Sequence, residues 1–169
     1  MNIGNETIQQ FKIRLANSRD FEEAFELVRS AVDLRFKMRR AGLSLILQVM
    51  PGRLGAYHVL GSNAIVVNSY VLAAVRNAAK SQEEYNSYVF MVLAHEYLHS
   101  LGIIDENTVR QMTYDLCLAL LGSTHMATKM AKEDPSSIYP NLRALSESKF
   151  SSEFQIIKKF DRQNQTYIQ

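Results

Sequence analysis

Ala94-His95-Glu96-Tyr97-Leu98-His99-Ser100-Leu101-Gly102-Ile103-Ile104-Asp105 is the stretch that decides how the rest of the chain is read. On an α-helix, residues four apart lie about 40° apart around the axis, so His95 and His99 project from one face. Two imidazole nitrogens on that face can reach one ion at roughly 2.0–2.1 Å, the zinc–nitrogen distance. Glu96 lies about 60° round from His99, beside the metal position, where a carboxylate can take a proton from water that the ion has acidified. Catalytic zinc usually has three protein ligands and an open position. Gly102 is a natural helix stop because glycine enters the left-handed region without a Cβ penalty. The chain can then double back and present Asp105 as the third ligand. Aspartate is also a preferred N-cap, and a second helix is expected to start there, so capping competes for the same side chain. Glu106 and His125 are the other candidates for the third position.

Written out, the pattern is H-E-x-x-H-x-x-G-x-x-D. It resembles the zincin metallopeptidases, and the glycine spacing is similar to the metzincin branch. With aspartate where that branch usually has histidine, it is similar to the snapalysin-type peptidases. The resemblance implies zinc held by His95, His99 and Asp105, with Glu96 as general base and a peptide or protein as substrate. It also implies an α+β fold: a small twisted mixed sheet with a backing helix, an active-site helix and a helical C-terminal part. A metzincin-like methionine beneath the metal would be Met126 or Met130, although here a whole predicted helix intervenes before them. An acidic ligand on the next helix, through Glu106, would place the chain closer to the small gluzincins.

The surroundings of the motif give a reason for a metal that is independent of family. Ser81-Gln82-Glu83-Glu84 is a capping box opening the helix. From Tyr85 to Leu101 apolar residues spread round the whole axis, as in a buried helix. Unpaired His and Glu side chains there are costly, and a cation facing them removes the cost. Tyr88, seven residues before His95, falls near the same face, where packing or ligand support are its possible roles.

Upstream, Phe11, Ile13 and Leu15 alternate with Lys12 and Arg14, which predicts a half-buried strand within residues 6–16. Asp20-Phe21-Glu22-Glu23 opens a core helix carrying Phe21, Phe25, Val28, Val32 and Phe36, with Gly42 as its stop. Its basic end, Arg35, Lys37, Arg39 and Arg40, complements the helix dipole and is read as solvated. Leu43–Met50 predicts a buried strand, and a parallel crossover would join it to the first. Gly55–Leu60 and Ala64–Asn68, separated by Gly61-Ser62-Asn63, predict two more strands. By the resemblance, Gly55–Leu60 is the sheet edge that pairs with extended substrate; His58 lies in it. Residues 69–79 are expected to be helical.

Downstream, a helix is expected from Asp105 to Leu121, ended by Gly122, with Cys117 as a buried structural thiol. Phe150, Phe154, Ile157 and Phe160 predict a last helix around residues 147–161, and the residues from Arg162 onward read as frayed. Tyr114 or Tyr139 are the tyrosines considered as hydrogen-bond donors to an oxyanion. The expected organisation is one zincin-like domain over residues 1–169, with sheet and active-site helix in 6–104 and a helical part in 105–169.

Composition bounds the partners. The 169 residues are 47% hydrophobic and 21% charged with a formal net charge of +2, too little charge to drive binding to nucleic acid or an anionic membrane. The first residues lack the pattern of a secretory signal, so a cytoplasmic location is expected. The competing function class is a non-catalytic zinc-binding module that interacts through its terminal amphipathic segment.

Overall fold

The computed structural model describes residues 4–158 and Phe160, and within them the chain is α+β. In chain order the elements are α1 (Asn5–Ala16), α2 (Phe21–Phe36), β1 (Ser44–Gln48), β2 (Ala56–His58) and β3 (Ala64–Asn68). Then come α3 (Ser69–Ala78), α4 (Gln82–Ser100), α5 (Glu106–Leu121), α6 (Met126–Glu133), α7 (Pro135–Ile138), the 3-10 turn Pro140–Ala144 and β4 (Phe154–Ile157). The sheet order is β2-β3-β1-β4, with β1 parallel to β3 and both outer strands antiparallel to their neighbours. No described helix is long and apolar enough to cross a membrane.

The spine of the core is α4. Ser81 caps it by accepting from the Glu84 backbone N–H at 3.2 Å, and the Glu84 carboxylate reaches back one residue past the cap to accept from the Lys80 N–H at 3.1 Å. Val89, Phe90, Leu93, Ala94, Tyr97 and Leu98 are all buried, as the all-round apolar pattern requires. Buried Asn86 donates to the Leu15 and Ser18 carbonyls, fastening α4 to the end of α1. Cys117 is free and buried on α5, where burial pushes its thiol up to about 12.

Two expected elements differ. Residues 6–16 form helix α1, not a strand, so no parallel crossover joins them to β1. The period-2 reading needed Ile13 to share an inward face with Phe11 and Leu15. Instead Phe11 and Leu15, four apart, are buried, while Ile13 is 59% exposed. The stripe read as a last helix over 147–161 gives strand β4, which pairs with the free edge of β1 in the register Ile46↔Ile156. Phe150 and Phe154 are exposed, so they do not form a buried helical face. The β-branched pair Ile156-Ile157 fits a strand, and sheet pairing decides the segment. The C-terminal part is therefore not purely helical. Phe160 is buried and stacks on Phe25 with ring centroids 4.1 Å apart. Residues from Arg162 onward lie outside those described.

The basic end of α2 also has work beyond solvation. The helix stops at Phe36, with Lys37 in the left-handed conformation at φ 58°, ahead of Gly42. Arg35 pairs with Asp115 at 3.0 Å, tying α2 to α5. Arg40 donates to the Ser100 and Ser62 carbonyls, clamping the end of α4 to the β2–β3 turn.

Two devices fix the rim above α4. Asn68, fully buried, caps α3 by accepting from Tyr70 N–H and donates to the Met50, Pro51 and Leu54 carbonyls at 3.0, 3.1 and 2.8 Å. One side chain thereby sets the loop that delivers β2. Gly52 donates its N–H to the Ser146 carbonyl at 3.0 Å, and a Cβ there would stand 2.4 Å from that of Leu145. Only glycine allows that approach of the two rims.

Candidate metal centre

Gly102, at φ 98°, ends α4 as expected and donates its N–H to the His99 carbonyl at 3.0 Å. The reversal places the first turn of α5 against the last turn of α4. His95 and His99 share a face, their ring centroids 5.0 Å apart. The carboxylate opposite them belongs to Glu106: one oxygen is 2.9 Å from His95 Nε2 and the other 2.8 Å from His99 Nε2. One ligand atom from each of the three lies within 4.8 Å of the others.

Asp105 is not part of this group. Its Oδ2 accepts from the Thr108 backbone N–H at 2.7 Å and from the Thr108 hydroxyl at 2.6 Å, capping α5. Those two hydrogen bonds hold its carboxyl below the ordinary aspartate value. The capping position consumes the short side chain, and the longer Glu106, first in the helix, reaches back to the imidazoles. The capping grammar of Asp105-Glu106-Asn107-Thr108 is the sequence signal that separates the two acids.

The protonation pattern is what makes the trio fit a cation. His99 Nδ1 is 2.8 Å from the Ile103 carbonyl, which can only accept, so Nδ1 carries the proton. A neutral ring then has its lone pair on Nε2, aimed at a carboxylate oxygen. Two acceptors face each other, and only a proton or a cation between them relieves the repulsion. A carbonyl fixing the far nitrogen is also the arrangement that orients metal-ligating histidines. Burial pulls the His95 imidazole below its ordinary value, which favours the neutral, ligating form. Two neutral imidazoles and one carboxylate are a donor set suited to zinc.

Glu96 sits beside the trio, 6% exposed, and its carboxylate has no hydrogen-bond partner among the described residues. Burial pushes its carboxyl up to about 7. It opens, with His95, His99 and Glu106, onto a cleft of about 1050 Å³. Tyr88, Met91 and Val92 from α4 also line that cleft; one rim is Gly52–His58, and the other runs through Met130, Asp134–Ser136 and Leu142–Arg143. Strand β2 has only β3 as a neighbour, so its outer backbone edge is unpaired among the described residues.

None of the family models, curated proteins or solved structures compared with the chain matches it.

His125 caps α6, its Nδ1 accepting from Ala127 N–H at 3.2 Å, and its Nε2 lies 3.6 Å from Glu83, away from the trio. His58 lines the cleft, with Nδ1 2.9 Å from the Ala64 carbonyl. Buried Tyr88 lies against Gly55, whose Cβ position is 3.2 Å from its hydroxyl, so packing under the rim is its role. Tyr139 donates to Glu84 at 2.8 Å, and neither it nor Tyr114 lines the cleft. Met126 and Met130 are both helical, on α6, so neither sits in a turn beneath the trio; Met130 is buried and lines the cleft. Arg110, one turn beyond Glu106 on α5, also lines the cleft and was not singled out in the sequence. The i,i+4 spacing from Glu106 was the available signal.

Proposed function

We propose that the protein is a zincin-like metallopeptidase that hydrolyses peptide bonds, with His95, His99 and Glu106 as the metal ligands and Glu96 as general base. The observation that carries the reading is the carboxylate of Glu106 facing two imidazole nitrogens, with the far nitrogen of the His99 ring held by the Ile103 carbonyl. Zinc held there would supply Lewis acidity towards a carbonyl and acidify water. The chain's own residues account for the rest. Glu96, raised to about 7 by burial, is matched to accepting a proton near neutral pH and returning it to a leaving amine. The β2 edge can pair with an extended backbone and lay it along the cleft, largely independent of side-chain identity. Apolar residues exposed at the cleft mouth, Leu54, Leu60 and Ile104, give that chain a surface to rest on.

The test is cleavage of a quenched-fluorescent peptide library by purified, zinc-supplemented protein. Cleavage is expected, with loss on chelation by 1,10-phenanthroline and recovery on adding zinc back. Absence of any cleavage, or cleavage indifferent to the chelator, would contradict the proposal.

A further inference from the structure

The charges lining the cleft are nearly all accounted for, with two exceptions. Its cations are three arginines, Arg53, Arg110 and Arg143, with no lysine. Arg53 is paired with Glu147 at 3.2 Å. Among the acids, Glu106 faces the imidazoles, Glu96 is buried, and Asp134 caps α7 by accepting from Ser136 N–H at 3.1 Å. Arg110 and Arg143 are exposed and have no carboxylate within ion-pair distance among the described residues. They come from different elements, α5 and the 3-10 turn Pro140–Ala144. Arg110 stands one helical turn beyond Glu106 on α5 and lines the same cleft as the trio.

We infer that the cleft selects peptides carrying a carboxylate near the scissile bond, with Arg110 and Arg143 as the groups that bind it. The inference rests on reading the cleft as a peptide groove. A guanidinium presents a planar fork of donors that matches a carboxylate bidentately, and among the described residues no acid fills these two forks. An Asp or Glu side chain and a free C-terminus offer the same chemistry. Both arginines stand in the cleft that β2 borders, so a chain laid along that edge passes within their wall.

Binding separates this inference from catalysis. Short fluorescein-labelled peptides of one sequence are titrated by anisotropy into the Glu96→Gln protein, with and without added zinc. One carries Glu with an amidated end, one Gln with an amidated end, and one Gln with a free C-terminus. The Glu peptide, the free-end peptide or both should bind about tenfold more tightly than the Gln amide, the worth of a charge-assisted hydrogen bond. Whichever of the two shows the gain identifies the source of the carboxylate. The preference should shrink in Arg110→Gln and in Arg143→Gln, and shrink with added salt. Arg110→Lys and Arg143→Lys keep the charge without the fork, and should retain part of it. Equal binding of all three peptides, an undiminished preference in the doubly substituted Arg→Gln protein, or no binding by any peptide would overturn the inference. Cleavage without preference counts against this inference alone. A preference without cleavage by the parent protein counts against the hydrolase reading alone.

Discussion

Glu106→Ala is expected to weaken zinc binding by about 100-fold or more, while Asp105→Ala leaves it within a few-fold of the parent. The two acids are adjacent, yet the chain reversal at Gly102 gives them different duties. Removing Glu106 leaves two imidazoles and no carboxylate among the proposed ligands, so both affinity and charge balance are reduced. Removing Asp105 deletes a cap, which should lower the thermal midpoint modestly without touching a ligand. Competition for zinc against a chromophoric chelator reads both variants on one scale. The reverse pattern, with Asp105→Ala losing the metal and Glu106→Ala keeping it, would return the third position to the aspartate that the motif suggests.

Glu96→Gln should reduce peptide turnover about 100- to 10,000-fold while zinc affinity stays near that of the parent. Glutamine keeps the shape of the side chain but cannot accept the proton at neutral pH. The proposed ligand atoms on His95, His99 and Glu106 should be unaffected, because Glu96 makes no hydrogen bond to any of them. Steady-state cleavage of one fluorogenic peptide, beside the chelator titration, separates the two effects. Parent-like turnover in this variant would remove Glu96 from the mechanism.

The helix α4 was legible because its signals agree: a capping box at Ser81, apolar residues all round, and Gly102 at its end. The i,i+4 pair of histidines and the intervening glutamate followed from helical geometry alone. The third proposed ligand did not, since motif spacing favours Asp105 while capping chemistry claims it. Only the three-dimensional return of α5 shows which carboxylate reaches the rings. At the N-terminus a short run fitted both a period of 2 and one of 3.6, and Ile13 tipped the reading the wrong way. Strand β4 depends on pairing with β1, about a hundred residues earlier in the chain, a partnership that no local pattern encodes. The cleft rims depend similarly on long-range contacts, such as Gly52 against Ser146 and Leu145.

The site itself is tested most directly by anomalous diffraction at the zinc absorption edge from crystals grown with zinc. The expected result is one strong peak per chain among His95 Nε2, His99 Nε2 and the Glu106 carboxylate, with the capping bonds of Asp105 unchanged. A zinc peak at Asp105, or none among the three side chains, would contradict it.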